Sequence, residues 1–357
     1  MESAGLVKHA RLIGTMIALW LSLAVLYGQD IRVTALPQRR MPVASGQYSG
    51  ITHLSGDRYA VVDDKLPGGG IVFFDIPLRK DGSVRASRIR REVPEATLEA
   101  TEEKRDNEGI AYANGLLYVS AEGDQSIREY ALDGQATGRI FAVPAEMGRE
   151  AIEGNAGFEP LTYHVASSKF WTTTELPLKK DGRESRLHRL QRFNADFQPD
   201  ACFFYKMDEP AKKPEEAASA RAYVYGIPAL AALDDGRLLV LEREVYVPHG
   251  GLKETTAKTF CKVKLYLVNP VGNTGDILPK QLLYAFETGA SLTIAGVDMT
   301  LANYEGMCLG PRLSDGKRCL LLIADSQAGM PAIANALRRK RLTHEYVKVL
   351  LLEGEGL

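Results

Sequence analysis

Three glutamates stand directly before a glycine or a proline at the start of an apolar run. They are Glu108 in "DNEGI", Glu159 in "GFEPL" and Glu305 in "NYEGM". Carboxylates serve as general acids and bases, as hydrogen-bond acceptors and as ligands of hard cations. Because the three motifs share one pattern, we expect the three side chains to occupy equivalent positions in a repeated structure.

A second set of acids ends the later of two apolar runs that follow one another in the chain. This set consists of Asp63 with its neighbour Asp64, then Glu122, Glu175, Glu242 and Asp325. An acid thus recurs near the start and near the end of the same kind of paired segment. Whether the side chains of the two sets lie close together depends on the fold.

The segments that hold these acids have the composition of β-strands. "RYAVVDD", "GLLYVSAEG" and "RLLVLERE" are short runs rich in Val, Leu and Tyr. Turn pairs such as Asn114-Gly115 and Asp235-Gly236 separate such runs. Helix-like segments are short and lie within predicted loops, at Pro214–Arg221 and Pro331–Arg339. The sequence therefore predicts an all-β domain.

The strand pairs recur along the chain. The repeats begin at Gly50, Gly109, Pro160, Pro228 and Gly306. Units of four strands repeated about every 50 to 80 residues are typical of a β-propeller. We count five repeats, which predicts five blades, or six if a degenerate blade lies in the longer spacings; a β-sandwich is the alternative fold. "DIRVTAL", at Asp30–Leu36, is predicted to complete the last blade and close the ring.

In a propeller blade the first strand lines the central channel, and the second strand runs antiparallel to it. The start of the first strand and the end of the second therefore lie at the same rim. We expect both sets of acids to converge on one face of the ring.

Converging carboxylates repel one another unless a cation, an arginine or bound protons neutralise them. Oxygen ligands in this number suit Ca²⁺ better than zinc. The predicted metal ligands are Glu108, Glu159, Glu242, Glu305, Asp325 and Asp64. The alternative is structural, with each acid accepting hydrogen bonds from backbone N–H groups of its own blade.

Glycine, arginine and histidine residues near these positions can each be interpreted in two ways. Glycine after Glu108 and Glu305 permits close approach of a ligand or an unusual backbone conformation. Arg243 is a candidate for binding an anionic substrate, or an ion-pair partner of the neighbouring acids. His53, early in a first strand, is a candidate substrate-binding residue or a hydrogen-bonded residue of the channel wall.

The amino-terminal segment predicts export. Lys8 and Arg11 precede the apolar run Leu12–Leu26, which is too short for a membrane span of about 20 residues. We predict a signal peptide at residues 1–28 and a propeller domain at 29–357, exported to the periplasm or beyond, with no membrane span in the mature chain. The four cysteines are too few for a disulfide scaffold, although Cys308 and Cys319 could bridge neighbouring strands.

Several function classes are excluded or disfavoured by the sequence. A formal net charge of −1 gives no basic field for nucleic acid. The G-x-S-x-G, G-x-x-x-x-G-K-[ST] and G-x-G-x-x-G motifs are absent. If the chain is a hydrolase, a metal-activated water is the more natural nucleophile.

Four blocks resemble the family named for the esterase-like activity of phytase. They are "DNEGIAY", "GNAGFEPLTY", "IPALAALDDGRLLVLERE" and "NYEGMCLGPRLSDGKRCLLLIADSQ". The resemblance implies an exported propeller that hydrolyses esters or phosphoesters. The residues at matching motif positions are Glu108, Glu159, Glu242, Arg243, Glu305 and Asp325. The chain departs from the family where it has Asp325-Ser326-Gln327, since relatives tend to have a second acid there.

The sequence therefore supports three functional hypotheses. The first is an exported, Ca²⁺-dependent phosphoesterase or esterase that acts on a small-molecule ester at the channel mouth. The second is a non-catalytic propeller of the cell envelope that binds a ligand or a protein. The third is a lactonase-type propeller with one metal in the channel.

Overall fold

A computed structural model describes residues 31–63, 66, 70–92, 96–97, 105–273, 277–293, 296–327 and 343–357. The predicted signal peptide, Asp64 and the helix-like segment Pro331–Arg339 lie outside the described residues. Within these residues, almost all regular structure is β, and five antiparallel sheets form the blades of a propeller. The predicted all-β propeller is confirmed, with five blades.

The strands follow the chain around the ring. Two short strands come first, β1 (Arg32–Ala35) and β2 (Arg39–Arg40). Blade 1 contains β3 (Tyr48–Ser55), β4 (Arg58–Asp63), β5 (Gly70–Asp75), β6 (Arg90–Arg91) and β7 (Ala96–Thr97). Blade 2 contains β8 (Asn107–Ala113), β9 (Leu116–Ala121), β10 (Ser126–Tyr130) and β11 (Ala136–Ile140). Blade 3 contains β12 (Phe158–His164), β13 (Lys169–Thr174), β14 (Leu187–Phe193) and β15 (Pro199–Lys206).

Blade 4 has the longest strands, β16 (Ala222–Ala232), β17 (Leu238–Val247), β18 (Phe260–Val268) and β19 (Lys280–Thr293), with β20 (Gly296–Met299) at its edge. Blade 5 contains β21 (Asn303–Arg312), β22 (Arg318–Asp325) and β23 (Tyr346–Glu353). Strands β1 and β2 both pair with β23, so the start of the described chain completes the last blade, as predicted.

Helical segments are few and short. They are α1 (Pro214–Ala218) and α2 (Leu252–Lys258), with single 3₁₀ turns at Ala86–Arg88, Ala145–Met147, Arg149–Ala151 and Arg183–Ser185. Helix α1 matches the start of a segment predicted to be helix-like. No helix among the described residues is long and apolar enough to span a membrane. All four cysteine thiols are free, so the possible Cys308–Cys319 bridge does not form.

The hydrophobic core is divided among the five interfaces between adjacent blades. Alternate residues of one strand pack into different interfaces: Tyr59 and Val61 of β4 pack towards blade 5, whereas Ala60 and Val62 pack towards blade 2. A strand that is buried on both faces has a continuous apolar sequence. The innermost strands β3, β8, β12, β16 and β21 contact one another in sequence around the ring and line its channel.

Candidate functional site

A β-bulge occurs at the same point of every blade, near the start of the innermost strand. In blade 2 the pairing passes from Asn107–Ala121 to Ile110–Val119, so the innermost strand has one more residue than its partner. The equivalent shifts lie at Tyr48/Ile51, Phe158/Leu161, Gly226/Ala229 and Tyr304/Gly306. A bulge redirects the side chains of its strand. Glu108, Glu159 and Glu305 occupy this position in blades 2, 3 and 5.

The glycines that follow the glutamates allow adjacent innermost strands to approach one another. A Cβ atom on Gly109 would lie 2.4 Å from the carbonyl oxygen of Glu159 in the next blade. A Cβ atom on Gly50 would lie 2.4 Å from the Glu108 carbonyl oxygen, and one on Gly306 would lie 2.6 Å from that of Ser49. The close approach is therefore made by the neighbouring blade, and these glycines form a narrow waist in the channel.

Arg243 lies among the acids, on the side of the waist where the innermost strands begin. Its side chain is 0% exposed. Its Nη2 atom lies 3.0 Å from Glu175 Oε1, 3.4 Å from Glu305 Oε1 and 3.9 Å from Glu159 Oε1. Burial lowers the pKa of the Arg243 guanidinium, but the surrounding carboxylates outweigh burial and raise it. Arg243 is therefore a charged ion-pair partner that joins blades 3, 4 and 5.

One arginine does not neutralise the whole cluster. Burial raises the pKa of Glu159 well above its ordinary value of 4.5, and four nearby carboxylates raise it further. These are Glu108, Glu122, Glu175 and Glu305. Burial and the charge of Glu175 raise the pKa of Glu122 to about 9, although a hydrogen bond with Glu159 opposes the shift. Burial and the neighbouring carboxylates therefore favour the protonated forms of Glu122 and Glu159.

Glu305 and Asp325 form a second carboxyl pair. Burial raises the pKa of Glu305, while Arg243 and hydrogen bonds with Asn303 and Asp325 oppose the shift. Asn303 Nδ2 donates to Glu305 Oε1 at 2.8 Å, and the backbone N–H of Gln327 donates to Asp325 Oδ1 at 2.6 Å. The carboxyl groups on this side of the ring are therefore stabilised by amide hydrogen bonds and by the charge of Arg243.

The acids of blade 2 form the group best suited to a metal ion. One ligand oxygen from each of Asp106, Glu108 and Glu122 lies within 4.8 Å of the others. Ca²⁺–oxygen distances of about 2.3 to 2.6 Å place ligands of one ion within about 5 Å of each other. Asn155 Nδ2 donates to Asp106 Oδ2 and to Glu122 Oε2, both at 2.7 Å. The group is therefore compact enough for a single ion.

Unpaired oxygen atoms support this fit. Glu122 Oε1 and Asn107 Oδ1 are buried and have no hydrogen-bond partner among the described residues. Oxygen atoms of this kind are the ligands that hard cations prefer. Glu122, Glu159 and Glu175 form a second compact group, but Arg243 already pairs with two of its members. Asp106, Glu108 and Glu122 therefore fit a cation better.

One other predicted ligand, Glu242, lies apart from this group. Glu242 accepts hydrogen bonds from Tyr205 Oη and Lys280 Nζ, both at 2.6 Å, in the interface between blades 3 and 4. Glu242 and Arg243 are consecutive in β17, so they point to opposite faces of the strand. Glu242 was predicted to lie with the other acids, but in the structure it lies in the interface between two blades. Asp64 lies outside the described residues.

Sequence reasoning missed two members of the blade 2 group. Asp106 stands two residues before Glu108 in "DNEGI", and its φ of 52° is unusual for a residue other than glycine. Asn155 belongs to the loop before β12, in the block "GNAGFEPLTY" that also contains Glu159. The available sequence signal was Asp106 itself, an acid two residues before the predicted ligand Glu108.

A larger cavity occupies the opposite end of the channel. It has a volume of about 470 Å³ and is lined by the later halves of the innermost strands, including His53 and His164, and by Arg318 at the start of β22. The space at the waist, lined by Gly50 and Gly109 among others, is about 10 Å³. A space of that size holds about one water molecule. His53 therefore lies on the other side of the waist from Arg243, and the two predicted substrate-binding residues are not brought together.

The family of the chain follows from a comparison with protein-family models. The model described as "Phytase-like: Esterase-like activity of phytase" matches residues 43–327. The chain belongs to this phytase-like family. The match spans the bulges of all five blades, so the acids described above lie within the family domain. No match is found among curated proteins.

Solved structures similar to this phytase-like chain have low sequence identity. An endo-arabinase from Bacteroides thetaiotaomicron VPI-5482 is 11% identical, with a TM-score of 0.46, and the alignment covers 88% of this chain and 98% of the other. The PQQ-bound aldose sugar dehydrogenase from Streptomyces coelicolor is 12% identical, with a TM-score of 0.42 and coverage of 91% and 99%. Similarity at this level says nothing about activity.

Proposed function

We propose that the chain is an exported, Ca²⁺-dependent hydrolase of small-molecule esters or phosphoesters. The observation that carries the proposal is the group of Asp106, Glu108 and Glu122, whose ligand oxygens lie within 4.8 Å of one another. The unpaired, buried Glu122 Oε1 atom adds a ligand that has no other partner in the described structure. Membership of the phytase-like family supports the reaction class.

The proposed roles follow from the charges of the residues. Asp106, Glu108 and Glu122 would hold the ion, and a bound Ca²⁺ would supply positive charge that polarises an ester or phosphoester oxygen. Glu159, whose pKa is raised by burial and by nearby carboxylates, is a candidate proton donor to the leaving oxygen. Arg243 holds Glu175 and Glu305 in place by ion pairs, so its role is positioning.

Export is part of the proposal and rests on the predicted signal peptide at residues 1–28. Extracellular and periplasmic proteins meet Ca²⁺ at concentrations that weak sites can bind, with dissociation constants of about 10⁻⁴ to 10⁻³ M. A site built from three carboxylates of one blade therefore suits an exported protein. Analysis of the amino-terminal residue of the secreted protein tests this point, and an intact residue 1 would contradict it.

Calcium binding is the first test. We expect calorimetry to give one Ca²⁺ per chain and Ca²⁺ to raise the melting temperature reversibly after EDTA. Glu122→Gln and Asp106→Asn should weaken Ca²⁺ binding by at least about tenfold, since each removes a charged ligand. Glu92→Gln is the control, because Glu92 pairs with the partly exposed Arg58 on blade 1 at 2.8 Å. No Ca²⁺ binding by the wild-type protein would contradict the metal site.

Turnover is the second test. The wild-type protein should hydrolyse at least one member of a panel of phosphate esters, carboxylate esters and lactones, and EDTA and Glu122→Gln should both abolish that activity. Lactones belong in the panel because they are cyclic esters. Ca²⁺ binding without turnover of any ester would contradict the hydrolase.

A non-catalytic propeller is the second candidate function. The observation that favours it is burial, since Glu108, Glu159 and Glu305 are each no more than 9% exposed. The ion pairs of Arg243 also stabilise part of the cluster without a metal. In that case the acids join the blades, and the same variants should lower stability without changing any Ca²⁺-dependent property.

A further inference from the structure

The cavity on the far side of the waist is a second site that the acids do not explain. We propose that it binds a small molecule that joins an apolar body to one anionic group. The inference does not depend on the proposed hydrolase, since it concerns other residues at the opposite end of the channel.

The size and walls of the cavity fit a small organic molecule. Its volume of about 470 Å³ lies within the range of about 300 to 1,000 Å³ that is typical of ligand pockets. Its lining is partly apolar and partly polar. Ile51, Ile110, Leu161 and Met307 lie at the end next to the waist, and Thr52 and Thr162 are among the polar lining residues. The apolar end favours the apolar body of a ligand, because contact with it removes apolar surface from water.

Arg318 supplies the charge. It is a half-buried lining residue, and no carboxylate of the described residues forms an ion pair with it within 4.0 Å. The nearby Asp234 carboxylate is paired with Arg312 at 2.8 Å. The solvent-accessible part of the half-buried guanidinium can bind one anionic group through charge-assisted hydrogen bonds.

The two histidines of the cavity differ in what they can offer a ligand. His164 uses both ring nitrogens, with Nδ1 2.6 Å from Ser167 Oγ and Nε2 3.1 Å from the Asp234 carbonyl oxygen. It therefore joins blade 3 to blade 4. His53 Nε2 lies 2.9 Å from the Gly56 carbonyl oxygen, which can only accept, so Nε2 carries the proton. Nδ1 of His53 is then an acceptor for a hydroxyl or amide group of the ligand.

The waist separates this cavity from the acids. A space of about 10 Å³ admits no more than about one water molecule. An anion in the cavity is therefore kept away from Glu159 and Glu305, whose charges would repel it. A ligand bound here is not a substrate of the acid cluster.

The test uses two fluorescent probes that share an apolar body and differ in charge. Anilinonaphthalene sulfonate carries one sulfonate, and phenylnaphthylamine is its uncharged counterpart. We expect the sulfonate to bind the folded wild-type protein at one saturable site, more tightly than the uncharged probe, with each displacing the other. Arg318→Gln should weaken sulfonate binding by about tenfold, as expected for a charged hydrogen bond, and change binding of the uncharged probe by less than about twofold.

Three controls establish that the probes bind in the cavity and that Arg318 is responsible for the charge preference. Lys317→Gln removes a charge from the same hairpin, where Lys317 pairs with Asp315, and should leave both probes unaffected. Thr52→Trp, at a half-buried lining position, should block both probes by filling the cavity. Binding should persist in EDTA and in Glu122→Gln, so failure of the hydrolase proposal would not affect it.

Two results would overturn the proposal. One is unchanged sulfonate affinity in a folded Arg318→Gln protein. The other needs no variant: equal affinity of the wild-type protein for the two probes, or binding at several weak sites without mutual displacement, would show that no anion-selective site exists in the cavity.

Discussion

Glu159 illustrates how a buried carboxylate depends on its surroundings. It lies among four other carboxylates and 3.9 Å from the guanidinium of Arg243. A single positive charge cannot balance five negative ones in a site of low polarity. The cluster therefore needs protons, a bound cation or both, and the two compete because each neutralises the same oxygens.

Stability in the absence of Ca²⁺ should consequently fall as pH rises. The pKa of Glu122 is raised to about 9 from an ordinary value of 4.5. Between these values the folded protein holds a proton that the unfolded chain has lost, so the free energy of unfolding decreases with pH by up to about 1.4 kcal/mol per pH unit for one group. Denaturant unfolding from pH 7 to pH 9 in EDTA measures this slope, because at lower pH the buried His188, whose pKa burial lowers to about 4, gives a slope of opposite sign.

The Glu122→Gln variant tests whether the carboxyl cluster causes this pH dependence of stability. Glu122→Gln cannot ionise and should flatten the pH dependence by up to one proton, whereas Glu92→Gln on blade 1 should leave it unchanged. Saturating Ca²⁺ should also flatten it, because the ion favours the ionised carboxylates. A wild-type protein that becomes more stable between pH 7 and pH 9 in EDTA would contradict the raised pKa values.

At the scale of the element, the bulge and the glycine that follows it act together. The bulge turns a glutamate towards the axis, and the glycine lets the next blade approach. On Gly109 a Cβ atom would meet Glu159 O and Ser120 Oγ at 2.4 Å and Leu161 N at 2.6 Å. Two of these three contacts are with the backbone of the next blade, which cannot move without shifting Glu159.

Gly109→Ala should therefore destabilise the protein by about 1 to 3 kcal/mol, the usual cost of overpacking, and should weaken Ca²⁺ binding through Glu108. Gly148→Ala is the matched control, since the nearest atom to its Cβ would be 3.4 Å away and its φ of −70° suits alanine. Denaturant unfolding of both variants measures the difference. Equal stability of the two variants would mean that the waist is not close-packed.

The sequence predicted the presence of the strands better than the register in which they pair. Repeated strand pairs, turn dipeptides and glycines at the bulges were enough to predict the propeller and the convergence of Glu108, Glu159 and Glu305. Glu242 was taken as the acid that ends its strand, but β17 continues to Val247. The register pairs Gly226 with Arg243, and a shift of one residue turns a side chain to the opposite face.

Contacts that depend on distant loops could not be predicted from local patterns. Asn155 joins Asp106 to Glu122 from the segment before β12, and Arg318 reaches the far cavity from the start of β22. Both residues lie within the blocks that resemble the family, but neither occupies a position that recurs from blade to blade. Their positions follow from the closure of the whole ring, which a local sequence pattern does not describe.

At the scale of the whole molecule, ring closure joins the two ends of the described chain. β1 lies outermost in blade 5 and pairs with β23, from Arg32 opposite Glu353 to Ala35 opposite Leu350. The backbone N–H of Leu36 continues the pairing by donating to Val349 O at 3.0 Å. Without β1, the edge of β23 would be open to pairing with another chain.

Proline substitutions test this closure residue by residue. In an antiparallel ladder the N–H groups that face a given neighbour alternate, so Thr34 faces β23 as Leu36 does, and Ala35 faces away. Thr34→Pro should lower the free energy of unfolding by about 1 to 3 kcal/mol, the cost of a lost hydrogen bond that leaves a partner unsatisfied, and should promote aggregation on heating. Ala35→Pro should be tolerated, because that N–H group is not used in the ladder. Thermal unfolding with light scattering distinguishes the two variants. Equal stability and equal aggregation would mean that β1 does not close the ring in solution.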